Sequence, residues 1–281
     1  MKAFLLSLLM IACLAPGAAC ADEPVPAGYV MDIALVGADA AEKTVIVRDG
    51  GELPAKLMMP LHAGDVVFLR DPQSALSIEL GSGETVRLGS QLTRYRVEGE
   101  IATGDSTWGV LTAIAGVFAG EDEQAPENMV SKGGAPKVLM AVRGTNFVTA
   151  RPAYWLGWEG GKAPYTVALL RDGTETPLAS GITGMEGTFA IAGPLKPKEK
   201  FALVLRDAEQ QKVQVRLTIA EALPDIPATG GPLVVSARLT ALDDGAWSIE
   251  AAQILAGSPS AAAKALAEKI AAGWRLQDPP Q

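Results

Sequence analysis

Thiols are nearly missing from this chain. Its 281 residues include two cysteines, Cys13 and Cys20, and both lie within the first twenty positions. The rest of the chain therefore has neither a disulfide nor a thiolate metal site to support it, and its stability must come from packed cores. Hydrophobic residues make up 48% of the chain, enough to build one or two such cores. Histidine is equally scarce. His62 is the single example, so an imidazole-based zinc site is excluded, and a Ser-His-Asp triad would have to use it. No G-x-S-x-G elbow accompanies His62 and no S-x-x-K motif supports a Ser-Lys dyad, so His62 reads as a residue at the entrance to a strand. No metal and no cofactor are expected.

Positive charge is also short, with 24 basic residues against 32 acidic ones and a formal net charge of -8. Such a chain repels phosphate backbones and anionic bilayers, which argues against nucleic acid as a partner. Beyond the first twenty residues no apolar run reaches the roughly 18 residues that a membrane span needs. The mature chain is expected to contain no transmembrane segment.

The first residues, MKAFLLSLLMIACLAPGAACADE, read as an export signal: Lys2, an apolar stretch from Ala3 to Leu14, then small residues from Ala18 to Ala21. Ala19-Cys20-Ala21 fits the A-x-A rule and would leave Asp22 as the first mature residue. Gly17-Ala18-Ala19-Cys20 resembles a lipobox with Gly17 where Leu is usual, which would make Cys20 a lipidation site. The first outcome needs no exception. The expectation is an exported, periplasmic protein, with a lipoprotein anchored through Cys20 as the alternative.

Periodicity divides the rest. Residues 1–21 are the signal peptide and 22–28 a Pro-rich leader. From 29 to 104, short period-2 runs such as TVIVR, DVVFLR, ALSIEL, TVRLG and RYRVEG alternate with Gly and Asp corners, the pattern of an antiparallel β domain. Residues 105–136 combine one short helix, with apolar positions at Trp108, Leu111, Ala115 and Phe118 and a cap at Asp105 or Ser106, with an acidic linker. Residues 137–222 carry further strands, read as KVLMAVR, YTVALLR, GTFAIAG, KFALVLRD and VQVRLTI, and suit an immunoglobulin-like sandwich. Residues 223–281 form an α-helical tail, in which Ser258 and Pro259 are read as the cap and first residue of the last helix and Leu266, Ile270 and Trp274 as its buried stripe. The fold class is mainly β, with a C-terminal helical segment.

The first β region resembles the periplasmic domain of FecR-like proteins. Leu61, Gly64, Asp65 and Val67 match its L-x-x-G-D-x-[VI] line, followed by Ser74-Ala75, the Gly81–Gly83 turn, and Val86 and Leu88. The second region, with Trp158, Gly160, Gly161, Pro164 and Tyr165 in a W-x-G-G-x-x-P-Y line, resembles envelope proteins that join a FecR-like domain to an Ig-like one. The likeness covers about residues 29 to 100 and 136 to 220. It implies an exported binding or scaffold module. The signal relay of FecR regulators themselves needs a membrane span and a cytoplasmic segment, and neither is read here.

Three features invite a chemical reading. Glu121, Asp122, Glu123 and Glu127 are dense enough to suggest paired catalytic acids, yet a solvated linker offers nothing to raise the pKa of one of them. Gly81-Ser82-Gly83 has the look of a phosphate cradle, but it leads into a strand and not a helix, so it reads as a hairpin turn. Tyr154, Trp155, Trp158 and Tyr165 fall within twelve residues of a chain with only 5% aromatics. Buried, one of these indoles is the core tryptophan of a sandwich, which is the favoured reading; exposed, they are anchors for a sugar ring or a peptide. Tyr154, Trp155, Trp158 and Trp274 are the candidate contact residues. The expected function is a non-enzymatic envelope protein acting as a protein-interaction, scaffold or sensing module whose partner is an envelope protein. The alternative is a carbohydrate- or peptidoglycan-binding module using the aromatics near 154–165, with a cell-wall glycan as ligand. A carboxylate hydrolase is a third reading.

Overall fold

The computed structural model describes residues 26–34, 43–82, 84–98, 106–119, 134–226 and 231–277. The signal region with Cys13 and Cys20, most of the leader, Asp105 and the acidic stretch 120–133 lie outside the described residues. Strands account for 37% and helices for 23%, so the protein is mainly β.

The alternating runs of the first region form two four-stranded antiparallel sheets. One has the order β4-β1-β6-β7, from Pro60–Leu61, Gly28–Ala34, Ala75–Leu80 and Thr85–Leu88. The other has the order β3-β2-β5-β8, from Gly51–Pro54, Thr44–Arg48, Val66–Leu69 and Arg94–Arg96. Period-2 alternation sends Ile46, Val67, Leu76, Ile78 and Leu88 into a shared core. Asp49 and Gly50 both adopt positive φ, 51° and 80°, the geometry that a tight β2–β3 hairpin requires.

The helix predicted near 105–120 is α1 (Ser106–Ala119), and it is more than part of a linker. It packs on the outer face of the first sheet, where the Trp108 and Tyr29 rings lie 5.0 Å apart and the Tyr29 hydroxyl shares a 2.9 Å hydrogen bond with Thr112. Val110, Leu111 and Ile114 are buried.

The second region is a sandwich of unequal halves. Its larger sheet has the order β12-β11-β14-β15-β9, from Thr174–Ile182, Tyr165–Arg171, Lys200–Arg206, Lys212–Ile219 and Asn146–Val148, with β9 joined in parallel to β15. The smaller sheet is the single antiparallel pair β10 (Ala153–Gly157) and β13 (Glu186–Ala190). The expected strand KVLMAVR does not form. Val138 and Met140 are buried there, but the backbone turns back at Ala141→Val138 and makes only an isolated bridge from Lys137 to Glu159. The buried Asn146 claims the backbone of Val142 through both amide atoms, which further diverts this segment from a ladder. Conversely, the aromatic line Ala153–Gly157 is a strand, and Asp172–Gly173 is all the turn that DGTETP supplies before β12 begins.

The tail forms α2 (Gly231–Ala241), a 3-10 turn at Leu242–Gly245, α3 (Ser248–Ala256) and α4 (Ala261–Ala271). Helix α3 closes the seam that the narrow β10–β13 sheet leaves open. At one side it meets β9, where the Phe147 N–H donates to the Ala246 carbonyl at 2.9 Å and the Phe147 and Trp247 rings stack at 5.2 Å. On the other side it meets the unpaired edge of β10. Gln253 there accepts from the Trp155 N–H and donates to the Trp155 carbonyl, each at 2.7 Å, in place of a neighbouring strand. The last helix begins two residues later than expected: its cap is Ser260, whose Oγ accepts from the Ala263 N–H at 3.4 Å, while Ser258 Oγ accepts from the Ser260 N–H. Ser260 Oγ also donates to the Met31 carbonyl, and Asp32 accepts from the Ala261 N–H, so α4 is tied to β1. Leu266 and Ile270 are buried as expected, whereas Trp274 lies beyond the helix end and is half-buried. No helix among the described residues is long and apolar enough to cross a membrane.

Candidate functional site

The acids most deeply buried are committed to holding the fold. Asp65, at 3% exposure, receives the Arg48 Nε–H at 3.0 Å, the Arg48 Nη2–H at 2.7 Å and the His62 backbone N–H at 2.8 Å. Burial alone would raise its pKa, but the Arg48 fork and the His62 N–H outweigh that and hold the carboxyl below its ordinary range. Asp65 in turn holds the Arg48 guanidinium above its ordinary value. Glu250 on α3, at 1% exposure, accepts from the Thr149 N–H at 2.9 Å, the Thr149 hydroxyl at 2.7 Å and Arg151. Asp207 accepts from the N–H groups of Lys162, Glu209 and Gln211 and so fixes the β14–β15 turn. Among the described residues no group of three or more His, Cys, Asp or Glu side chains is placed to hold a metal ion.

The predicted aromatics separate into two classes. Tyr154 is a core residue and not a contact. Its ring packs 5.8 Å from Phe201, its hydroxyl donates to the Thr149 carbonyl at 2.8 Å, and burial pushes its pKa up to about 12. Trp158 is also interior at 5% exposure, edge-on to Tyr165 at 5.4 Å. The W-x-G-G-x-x-P-Y line is the device that brings these two rings together. Gly160 and Gly161 both take positive φ, and a Cβ on Gly161 would meet Tyr165, Asp207 and Pro136 at 3.0 to 3.2 Å. The Tyr165 hydroxyl closes the turn on the Gly160 carbonyl at 2.8 Å.

Trp155 faces the other way along β10 and remains half-buried. It lines a groove of about 380 Å³ between the β10–β13 pair and α4. A Cβ on Gly157 would meet the Ala271 Cβ at 2.9 Å and the Trp155 ring at 3.3 Å, so only glycine lets helix and indole approach this closely. Leu139 and the exposed Met185 add apolar wall, and Glu159, Glu186 and Glu268 stand around them. Trp274 does not line this groove. Of the groove residues, Glu159 is legible beside the aromatic line. Met185, Glu186 and Glu268 carry no local signal and are gathered only by the packing of α4.

A second, larger cleft of about 560 Å³ lies where the first sheet meets the starts of α2 and α4. Its floor carries the outward residues of β6 and β7, Ser77, Glu79, Thr85 and Arg87, and its far wall carries Pro232, Leu233 and Pro259. Burial raises the Glu79 pKa above the ordinary glutamate value. The cleft presents both signs of charge on a mixed surface.

No family model matches the chain. No curated protein matches it. Among solved structures it is similar to the dimeric latent PorU of Porphyromonas gingivalis, at 11% identity and a TM-score of 0.26, covering 72% of this chain and 20% of that one. It is also similar to a beta-1,2-glucanase of Parabacteroides distasonis, at 12% identity and a TM-score of 0.23, covering 76% of this chain and 30% of that one. The chain spans less than a third of the length of either.

Proposed function

We propose that this chain is a non-enzymatic exported envelope protein that acts as a protein-interaction or scaffold module, with the first β region as its FecR-like part. The observation that carries this reading is the groove beside Trp155: a half-buried indole, an exposed thioether and three carboxylates on a surface braced by α4. The brace matters because recognition by a preordered surface avoids the entropy of ordering it on binding. The most deeply buried acids are held inside the fold, Glu250 by Arg151 and Thr149 and Asp65 by Arg48, whereas Glu159, Glu186 and Glu268 stand at the groove.

The test is crosslinking in envelope extract followed by affinity capture of the intact protein. A specific partner is expected with the parent chain and is expected to be lost with Met185→Lys, a cation placed at an exposed position of the acidic groove. Equal capture by both proteins counts against the groove as the docking face. A second reading has one observation in its favour, since an indole beside carboxylates is also the arrangement that stacks on a sugar and accepts its hydroxyls. On that reading the protein cosediments with purified cell wall and Trp155→Ala abolishes this.

A further inference from the structure

We infer that the Trp155 groove receives a basic side chain, lysine or arginine, from a partner polypeptide; this rests on the interaction reading above and names the chemistry of the partner at that site. Charge complementarity carries the inference. Several surface carboxylates that border a sheet elsewhere have found cations: Glu52 meets Arg70 at 2.5 Å, Glu199 meets Arg171 at 2.6 Å, and Glu175 meets Arg206. Around this groove Glu159, Glu186 and Glu268 have no ion pair or side-chain hydrogen bond among the described residues; Lys137 bridges Glu159 through the backbone, and no described Lys or Arg lines the groove.

The seat between them is apolar and suits the stem of such a side chain. Leu139 and Met185 offer surface to methylenes, and the Trp155 indole offers a face to the cation itself. The volume, about 380 Å³, is at the small end of ligand pockets and suits one long side chain with its flanking backbone. The three carboxylates come from the loop after β10, from β13 and from α4. The site therefore exists only while the helical tail is docked on the smaller sheet.

The experiment titrates the full chain with acetyl-Gly-Arg-Gly-amide, with its citrulline counterpart of the same shape and no charge, and with a cell-wall oligosaccharide. The indole N–H resonances are followed by NMR, that of Trp155 being assigned with Trp155→Phe. Saturable movement of the Trp155 signal by the arginine peptide, absent with citrulline, is expected. Glu159→Gln, Glu186→Gln and Glu268→Gln should each weaken it by about two- to fivefold, and added salt should weaken it in the intact protein. Binding that is equal for citrulline, insensitive to salt and unchanged in the triple Gln variant overturns the inference, as does movement by the oligosaccharide alone. If the triple variant still captures the envelope partner, the interaction reading stands and this inference falls. If the arginine peptide binds but no partner is captured, the groove chemistry stands and the interaction reading falls.

Discussion

The two β regions solve the same packing problem differently. The first closes on itself: two sheets of equal width cover one another, and its buried acid, Asp65, finds its cation on a neighbouring strand of the same region, Arg48. The second cannot close alone, because a two-stranded sheet faces a five-stranded one. It borrows helix α3 to fill the seam, and there the buried acid comes from the helix and the cation from the sheet region, Glu250 to Arg151. A sandwich with one narrow sheet is thus unfinished without an added element, and the polar groups that fix that element become part of its core.

The largest expected effect comes from breaking the borrowed joint. Glu250→Ala leaves the Arg151 guanidinium and the Thr149 N–H without their partner. It should cost about 3 to 5 kcal/mol of stability, read as a lower urea midpoint. Hydrogen exchange should speed up in β9, β10 and α3 while β5 and β6 stay protected.

Asp65→Asn tests the self-closed joint and should cost about 2 to 3 kcal/mol, since the Asn amide keeps an oxygen that can still accept from Arg48 or the His62 N–H. The same residue predicts a pH dependence. Its pKa in the folded chain lies below the ordinary carboxyl value, so its contribution is fully present above the unfolded value of about 3.9 and is lost as pH falls through the folded one. Urea midpoints of the parent chain should therefore fall as the pH is taken below about 4, with a smaller fall for Asp65→Asn.

A smaller loss, about 1 to 2 kcal/mol, is expected for Gln253→Ala, which strips the Trp155 backbone of its two hydrogen bonds to the Gln253 amide. Faster exchange at the Trp155 amide is the direct readout. The smallest is Ser260→Ala, at about 1 kcal/mol for the lost helix cap. Because Ser260 also bonds the Met31 carbonyl, this variant should loosen α4 against β1 and leave the Glu250 joint unaffected, which thermal melts of Ser260→Ala, Glu250→Ala and the double variant would show as additive shifts.

Much of this architecture was legible residue by residue. The alternation of ALSIEL and TVRLG, the Asp49-Gly50 corner and the first two helical stretches of the tail carry their own periodicity or turn chemistry and formed where their patterns lay, and the third formed with shifted ends. The misreadings have physical causes. KVLMAVR has the composition of a strand, but the buried Asn146 takes over its backbone. Ser258 and Ser260 are both competent caps, and the contact of Ser260 with β1 goes with the later start. The aromatic line was visible as a cluster, yet which rings face inward depends on how β10 alternates between a sheet core and a helix, a partner more than ninety residues away in the sequence.

The sequence by itself determined the mainly β class, the helical tail, the lack of cysteine and histidine for metal or triad chemistry, and the acidic balance, because these follow from composition and local period. Only the tertiary structure decided that Tyr154 and Trp158 are interior, that Trp155 shares a groove with Met185, Glu186 and Glu268, and that α3 completes the second sandwich. Those outcomes depend on pairings between distant segments, where a buried donor or acceptor must find its partner, and no local pattern encodes which distant group will supply it.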